Sequence, residues 1–195
     1  KELIEIIGQA IDDEYIKELT TISLSPEAIS RHKDMKIVYT PIHGTGVKLV
    51  PAALKAYGFT NIIHVPEQDV VSGDFPTVIS PNPEEPAALA MAVEKAKETD
   101  AELVMASDPD ADRVGAAVKN NEGEWVLLNG NQTALMFVYY LITRWKELGK
   151  INGKEYIVKT DRKITPDFLE IMRKGIYLKD LDITTRECKI EKIGK

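Results

Sequence analysis

The sequence predicts an α/β protein: a three-layer α/β/α domain with a mostly parallel mixed sheet and an antiparallel edge, followed by a partial second α/β unit. Three observations carry this expectation. Short β-rich runs alternate with helical periodicities between residues 35 and 106, and such alternation calls for right-handed βαβ crossovers and parallel strands. Two strand-like runs at 114–118 and 125–128 flank Lys119-Asn120-Asn121-Glu122-Gly123, a hairpin signal that puts an antiparallel strand at the sheet edge. A new helical period then opens at Asn129-Gly130-Asn131, and residues 155–160 read as a further strand. The expected organisation is therefore a domain over 1–128, the start of a second unit over 129–160, and an unassigned segment over 161–195.

The elements follow in chain order. Ile4, Ile7, Ile11, Tyr15 and Leu19 recur at helical spacing in the first 31 residues. Ser25-Pro26-Glu27 reads as a cap with proline at the first helical position, opening a short second helix. His32 lies among charged residues and reads as a solvated surface histidine. Residues 35–40 (MKIVYT) form a buried strand, and Pro41-Ile42-His43-Gly44-Thr45-Gly46 leads from it into a helix over 47–57. Pro51 fits that helix only near its first turn. Glycines between a strand and a helix permit a tight turn and close approach to a ligand. They do not make a dinucleotide fingerprint, because Gly44-x-Gly46 lacks the third glycine. His43 and Gly44, at the end of a strand, are substrate-side candidates; for His43 the alternative is a plain turn residue.

Gly58 ends the helix, 61–65 is a second strand, and 66–85 is a loop rich in Pro, Asp, Gly and Ser. A loop of that length in a compact domain is usually functional or disordered. A helix follows over 86–98, then a strand over 103–106. Leu135, Val138, Tyr139, Ile142 and Trp145 lie at helical period on the helix after Gly130, where aromatics read as core. Thr165-Pro166 can open a helix through Met172, and the tail from Leu178 is charged and weakly periodic.

Composition narrows the function classes. The 195 residues carry 25 basic and 31 acidic side chains, a net charge of −6. No Lys/Arg block stands outside the C-terminal tail, so a nucleic-acid partner is not expected. No apolar run approaches the ~20 residues of a membrane span, and no signal segment precedes the first helix. Cys188 is the single cysteine, which excludes an internal disulfide or a cysteine metal cluster and fits a reducing, cytoplasmic location. The chain starts at Lys1 inside a helical pattern, as expected of a piece of a longer protein.

The residues that carry chemistry are Ser107-Asp108-Pro109-Asp110-Ala111-Asp112-Arg113-Val114-Gly115. Carboxylates at i, i+2 and i+4 do not share a helix face, but in an extended or curled segment they do. Pro109 biases Asp108 towards extended backbone, so Asp108, Asp110 and Asp112 can converge. Three close carboxylates repel one another, and a bound cation removes the conflict. Oxygen-only ligation suits Mg²⁺ or Mn²⁺ better than zinc. The bland alternative is a solvated acidic loop. An EF-hand beginning at Asp108 fails, because Arg113 and Lys119 occupy the positions that need Gly and Glu. A phosphatase using an Asp-x-Asp pair as nucleophile and partner stays open, although it leaves the third Asp and Arg113 without roles. In a parallel sheet, ligands gather beyond the carboxyl ends of the strands, where the glycine turn, the long loop and the Asp loop all fall. That agreement of position favours the metal reading.

The order Tyr39-Thr40-Pro41-Ile42-His43-Gly44-Thr45-Gly46, then Gly73-Asp74-Phe75-Pro76 with Pro81-Asn82-Pro83-Glu84, then Asp108 to Gly115, resembles the second domain of the α-D-phosphohexomutases, the phosphoglucomutase/phosphomannomutase family. Gly130-Asn131-Gln132 and its helix resemble the start of that family's third domain. The resemblance covers about residues 1–160. It implies a four-domain enzyme interconverting hexose 1-phosphate and hexose 6-phosphate (glucose or mannose phosphate) through a phosphoserine and a bisphosphorylated sugar. It further implies Mg²⁺ held by Asp108, Asp110 and Asp112 together with a phosphoserine oxygen, and Arg113 as a charge partner near that phosphoserine.

The departures are equally specific. The family's serine loop is absent. Ser80-Pro81-Asn82-Pro83 echoes it but lies in the wrong domain with proline in place of histidine, so Ser80 is not assigned as nucleophile. Gly123-Glu124-Trp125-Val126 begins like the sugar-reading loop but lies in a hairpin and lacks the hydroxyl. No fourth-domain phosphate loop is visible, and after Thr160 comes Asp161-Arg162-Lys163 where the family continues into a Thr-rich segment. The expected activity therefore belongs to a complete enzyme that includes the remaining mutase domains, with this chain inactive alone. The alternatives are a non-catalytic remnant or binding module that keeps the fold, and an independent Mg²⁺-dependent phosphatase using Asp108 or Asp110.

Overall fold

A computed structural model describes residues 7–150, 166–174, 177–178 and 183–184. Contacts divide the chain into two compact units, Lys1–Lys119 with Trp125–Ala134, and Asn120–Glu124 with Leu135–Lys195. The first unit holds a mixed sheet of five strands in the order β2-β1-β3-β4-β5. These are β1 (Lys36–Thr40), β2 (Asn61–His64), β3 (Leu103–Ser107), β4 (Val114–Lys119) and β5 (Trp125–Leu128). β1 pairs in parallel with β2 and β3, and β4 runs antiparallel to both β3 and β5. The expected hairpin is present, and four strands share one direction with β4 alone reversed.

Alternation along β1 assigns its two faces. Val38 packs with Val104, Ala106 and Ala117 against Ala88, Leu89, Ala92 and Ala96 of α4 (Pro86–Thr99). These side chains are almost fully buried and form the core cluster. Ile37 and Tyr39 point to the other face, which α3 (Gly46–Tyr57) covers: a Cβ on Gly46 would stand 2.5 Å from the Tyr39 hydroxyl. Helices on opposite faces of a sheet are what two right-handed crossovers running in opposite directions produce, here β1 through α3 to β2 and β2 through α4 across to β3. Pro51 lies in the second turn of α3, slightly deeper than the sequence favours, and is buried there. Gly58 ends that helix in the left-handed region at φ 117°.

α1 (Gly8–Thr21) packs on α3, and the Tyr57 hydroxyl donates to the Leu19 carbonyl at 2.7 Å. Its periodic apolar residues are less covered than their spacing implies, with Ile11 and Tyr15 about half exposed. Ile4 lies outside the described residues. α2 (Pro26–Arg31) begins at the proline that the sequence marks.

α5 (Gly130–Glu147) opens with a capping box. The Gln132 N–H donates to Asn129 Oδ1 at 2.9 Å, and the Asn129 N–H donates back to Gln132 Oε1 at 3.0 Å. The expectation that this helix buries its aromatics is corrected: Phe137, Tyr139 and Tyr140 are exposed, and the helix has no buried residue. Residues 134–142 are apolar without interruption, so they circle the helix and no single contact stripe covers them.

The second unit also contains α6 (Pro166–Lys174), which begins at the expected proline, and an antiparallel ladder of β6 (Tyr177–Leu178) with β7 (Ile183–Thr184). That ladder places two short strands in the segment that the sequence leaves unassigned. The strand expected over 155–160 and Cys188 lie outside the described residues.

Candidate metal centre

β1 sends its chain to β2 on one side, while β3 lies on its other side. The loops after β1 and β3 therefore part at a topological switch point, where open α/β sheets form a crevice at their carboxyl edge. The two loops are the glycine turn, 41–45, and the Asp loop, 108–113.

Within the Asp loop the carboxylates converge as the alternate spacing implies. Asp108, Asp110 and Asp112 each offer an oxygen such that all three atoms lie within 4.8 Å of one another. Asp108 is nearly buried and its loop mates are exposed. The Arg113 N–H donates to Asp108 Oδ1 at 3.0 Å, and the Ala111 N–H donates to the Asp108 carbonyl at 3.0 Å. Ala111 takes φ 61°, in the left-handed region. That kink turns the chain so that Asp110 and Asp112 fall on the same side of the loop. The Arg113 guanidinium stands 3.7 Å from Asp108 and 3.8 Å from Asp112, with its side chain 63% exposed. It can swing to an incoming anion without breaking a buried pair.

The electrostatics fit a cation. The hydrogen-bonding contact with Asp108, followed by the negative charges of Asp110 and Asp108, holds the Asp112 carboxyl above its ordinary range, while Arg113 pulls the other way. A hard divalent ion at about 2.1 Å from each oxygen needs ligand pairs no more than about 4.2 Å apart. The exposed side chains of Asp110 and Asp112 can supply that small inward rotation. The donor set, three carboxylates and no softer atom, suits Mg²⁺.

The Asp loop leans on the glycine turn. The Thr45 N–H and the Thr45 hydroxyl both donate to the Pro109 carbonyl, at 2.8 and 3.0 Å. Gly44 lies so close that a Cβ on it would overlap the Pro109 backbone, 2.7 Å from its carbonyl oxygen. At the foot of the loop, Ser107 Oγ and the Tyr39 hydroxyl are hydrogen-bonded at 2.8 Å. Burial pushes the Tyr39 phenol up to about 12; the Ser107 bond opposes this and the Asp69 charge adds to it.

His43 lies elsewhere. Its ring is buried, with Nδ1 2.8 Å from the Val70 carbonyl and Nε2 2.8 Å from Thr77 Oγ1. A carbonyl only accepts, so Nδ1 carries a proton, and in the neutral ring Nε2 accepts from the Thr77 hydroxyl. Thr77 in turn accepts from Gln68 Nε2 at 3.2 Å, and Gln68 Oε1 accepts from the Thr40 hydroxyl at 2.7 Å. The His43 N–H also reaches the Gln68 carbonyl at 2.9 Å, and the Ser72 N–H reaches the His43 carbonyl at 3.1 Å. The long loop is thus bonded to the glycine turn through a chain of matched donors and acceptors, with His43 as its pin. Ser80 donates to Glu85 at 3.0 Å just before α4.

The sequence assigns roles to the four charged residues of the Asp loop; Tyr39, Thr45 and Ser107 stand in its motifs without a role, and Gln68 and Thr77 are not singled out. One signal was available: a threonine directly before a helix ordinarily caps it, and whether it does so here is visible only in three dimensions.

Residues 13–123 match the family described as phosphoglucomutase/phosphomannomutase, alpha/beta/alpha domain II. The chain is 37% identical over 139 residues to a human phosphopentomutase, covering 71% of this chain and 22% of that protein. It is 35% identical over 137 residues to a phosphoglucomutase of Staphylococcus haemolyticus, covering 70% of this chain and 24% of the relative. The chain therefore spans about a quarter of the length of these relatives. Its fold is similar to that of a phosphoglucomutase/phosphomannomutase family protein from Burkholderia thailandensis, with a TM-score of 0.54 at 24% identity over 69% of this chain and 26% of that one. On the extent of the family match, this chain belongs to the α-D-phosphohexomutase (phosphoglucomutase/phosphomannomutase) family, with residues 13–123 forming its α/β/α domain II.

Proposed function

We propose that this chain is the metal-binding portion of a phosphosugar mutase, in which Asp108, Asp110 and Asp112 hold Mg²⁺ and Arg113 meets the phosphoryl group of a phosphoserine. The observation that carries the reading is the convergence of three carboxylate oxygens within 4.8 Å at the switch point of the sheet. Phosphoryl transfer asks little covalent chemistry of a protein and much charge neutralisation and alignment. When bound, Mg²⁺ supplies a concentrated positive charge to the oxygens of the transferring group. The chain's own residues do the rest. Asp108 is fixed by the Arg113 N–H and sets the ligand geometry. The Arg113 guanidinium offers planar, permanently charged donors to phosphate oxygens.

The serine, the sugar-reading loop and the second phosphate loop are supplied, in this proposal, by the remaining mutase domains. The substrate is a hexose phosphate, of glucose or mannose, and the enzyme works in the cytoplasm. The relatives include proteins named for pentose and for glucose substrates, and the residues that would discriminate sugars are not among those of the Asp loop. This chain alone binds Mg²⁺ weakly, because one ligand comes from the phosphoserine, and it does not turn over substrate.

Titration calorimetry tests the metal assignment. Mg²⁺ is expected to bind the chain and to lose measurable binding in Asp110→Ala; equal binding by both proteins overturns it. An assay on glucose 1-phosphate tests the division of labour. Turnover by the isolated chain would show that no further domain is needed.

A further inference from the structure

We infer that the glycine turn after β1 sets the geometry of the Asp loop, with Gly44 and Thr45 as positioning residues for the cation site. The inference rests on the metal reading above. It gives Gly44 and Thr45 roles through Pro109, not through substrate.

Thr45 occupies the N-cap position of α3, yet its side chain makes no capping hydrogen bond to that helix. Threonine is favoured at an N-cap because its oxygen accepts from the first turn's free N–H groups. Here the hydroxyl donates instead to the Pro109 carbonyl, alongside the Thr45 N–H. Two donors from one residue converge on the single carbonyl between Asp108 and Asp110. They fix the peptide whose orientation decides where those two carboxylates point.

Gly44 completes the contact. It is absent from the residues with positive φ, so its backbone conformation is one that alanine also adopts. Glycine is needed there for space, since a Cβ would stand 2.7 Å from the Pro109 carbonyl oxygen and 2.8 Å from its carbon. Those are backbone atoms of the Asp loop, which yield only if the loop moves. The turn is itself held from behind by His43, through Val70, Thr77 and the Gln68 carbonyl. The rigid partner is therefore the turn, and the adjustable one is the Asp loop.

The test uses the full 195-residue chain and Mn²⁺ alone as probe, followed by electron paramagnetic resonance. Gly44→Ala is expected to weaken Mn²⁺ binding about tenfold or more. Thr45→Val keeps the N–H and the shape but removes the hydroxyl. It is expected to weaken binding roughly threefold to tenfold, and Thr45→Ser restores it. A second readout needs no metal: amide exchange at Ala111 and Arg113 in the metal-free chain is expected to quicken in Gly44→Ala and Thr45→Val but not in Thr45→Ser. Unchanged exchange and unchanged Mn²⁺ affinity in Thr45→Val and Gly44→Ala overturn the inference. Failure of the metal reading looks different. In that case Asp110→Asn leaves Mn²⁺ binding unchanged, while the exchange arm still decides whether the turn positions the loop. If Gly44→Ala does not fold, the Val and Ser substitutions at Thr45 carry the decision.

Discussion

Tyr39 shows how one side chain joins the two halves of the site. It is 1% exposed, faces α3, and its hydroxyl meets Ser107, the residue immediately before Asp108. Burial, opposed by the Ser107 bond and reinforced by Asp69, raises its phenol to about 12 from 10.0. A group whose folded value is raised stabilises the fold below its unfolded value and loses that contribution as pH climbs through the folded one. Between about pH 9 and about pH 11, wild type should therefore lose roughly 1 kcal/mol more stability than Tyr39→Phe. Urea midpoints at the two pH values measure this. Parallel losses in both proteins would mean that Tyr39 ionises without hindrance. At neutral pH the substitution costs about 1 kcal/mol, because Ser107 loses its partner.

At the scale of elements, β4 is clamped between the Asp loop and the Pro-rich segment that precedes α4. Gly115 follows Val114 at the start of β4, and a Cβ on it would overlap the Pro83 backbone, 2.8 Å from its carbonyl carbon. Gly115→Ala is expected to destabilise the chain by about 1–3 kcal/mol, as overpacking against backbone does. Gly73, in the same long loop, has open space where a Cβ would go and no positive φ, so Gly73→Ala should fall within about 0.5 kcal/mol of wild type. Chemical denaturation of the pair separates packing from glycine content; equal effects would remove the Pro83 contact from the account.

The pair also shows what the sequence could reveal. The strands, helices and hairpin were legible because their periodicities are local. The convergence of Asp108, Asp110 and Asp112 was legible because alternate spacing and Pro109 act within one loop. The partners of Gly44, Gly115 and His43 lie 65, 32 and 25–34 residues away, counting from their numbers. They are set by which strands become neighbours. His43 looked ligand-facing because it ends a strand at the functional edge, and only the paths of Val70 and Thr77 show what its ring nitrogens bind.

At the scale of the whole chain, every residue that this chain contributes to the proposed cation site falls in one compact unit, Lys1–Lys119 with Trp125–Ala134. That unit contains all five strands of the mixed sheet and the buried cluster beneath α4. It also holds both loops of the switch point and the Asn129–Gln132 capping box that opens α5. A unit with its own core and its own backbone pairing has what independent folding requires. A chain ending at Ala134 should therefore unfold in a single cooperative transition and bind Mn²⁺ within about twofold of the full chain, a difference under about 0.5 kcal/mol. Loss of binding with the fold intact would place a necessary ligand or support beyond Ala134. Loss of the cooperative transition would show that the sheet draws its stability from the rest of the chain. Retention of both would confine this chain's share of the metal site to the sheet and the two loops at its carboxyl edge.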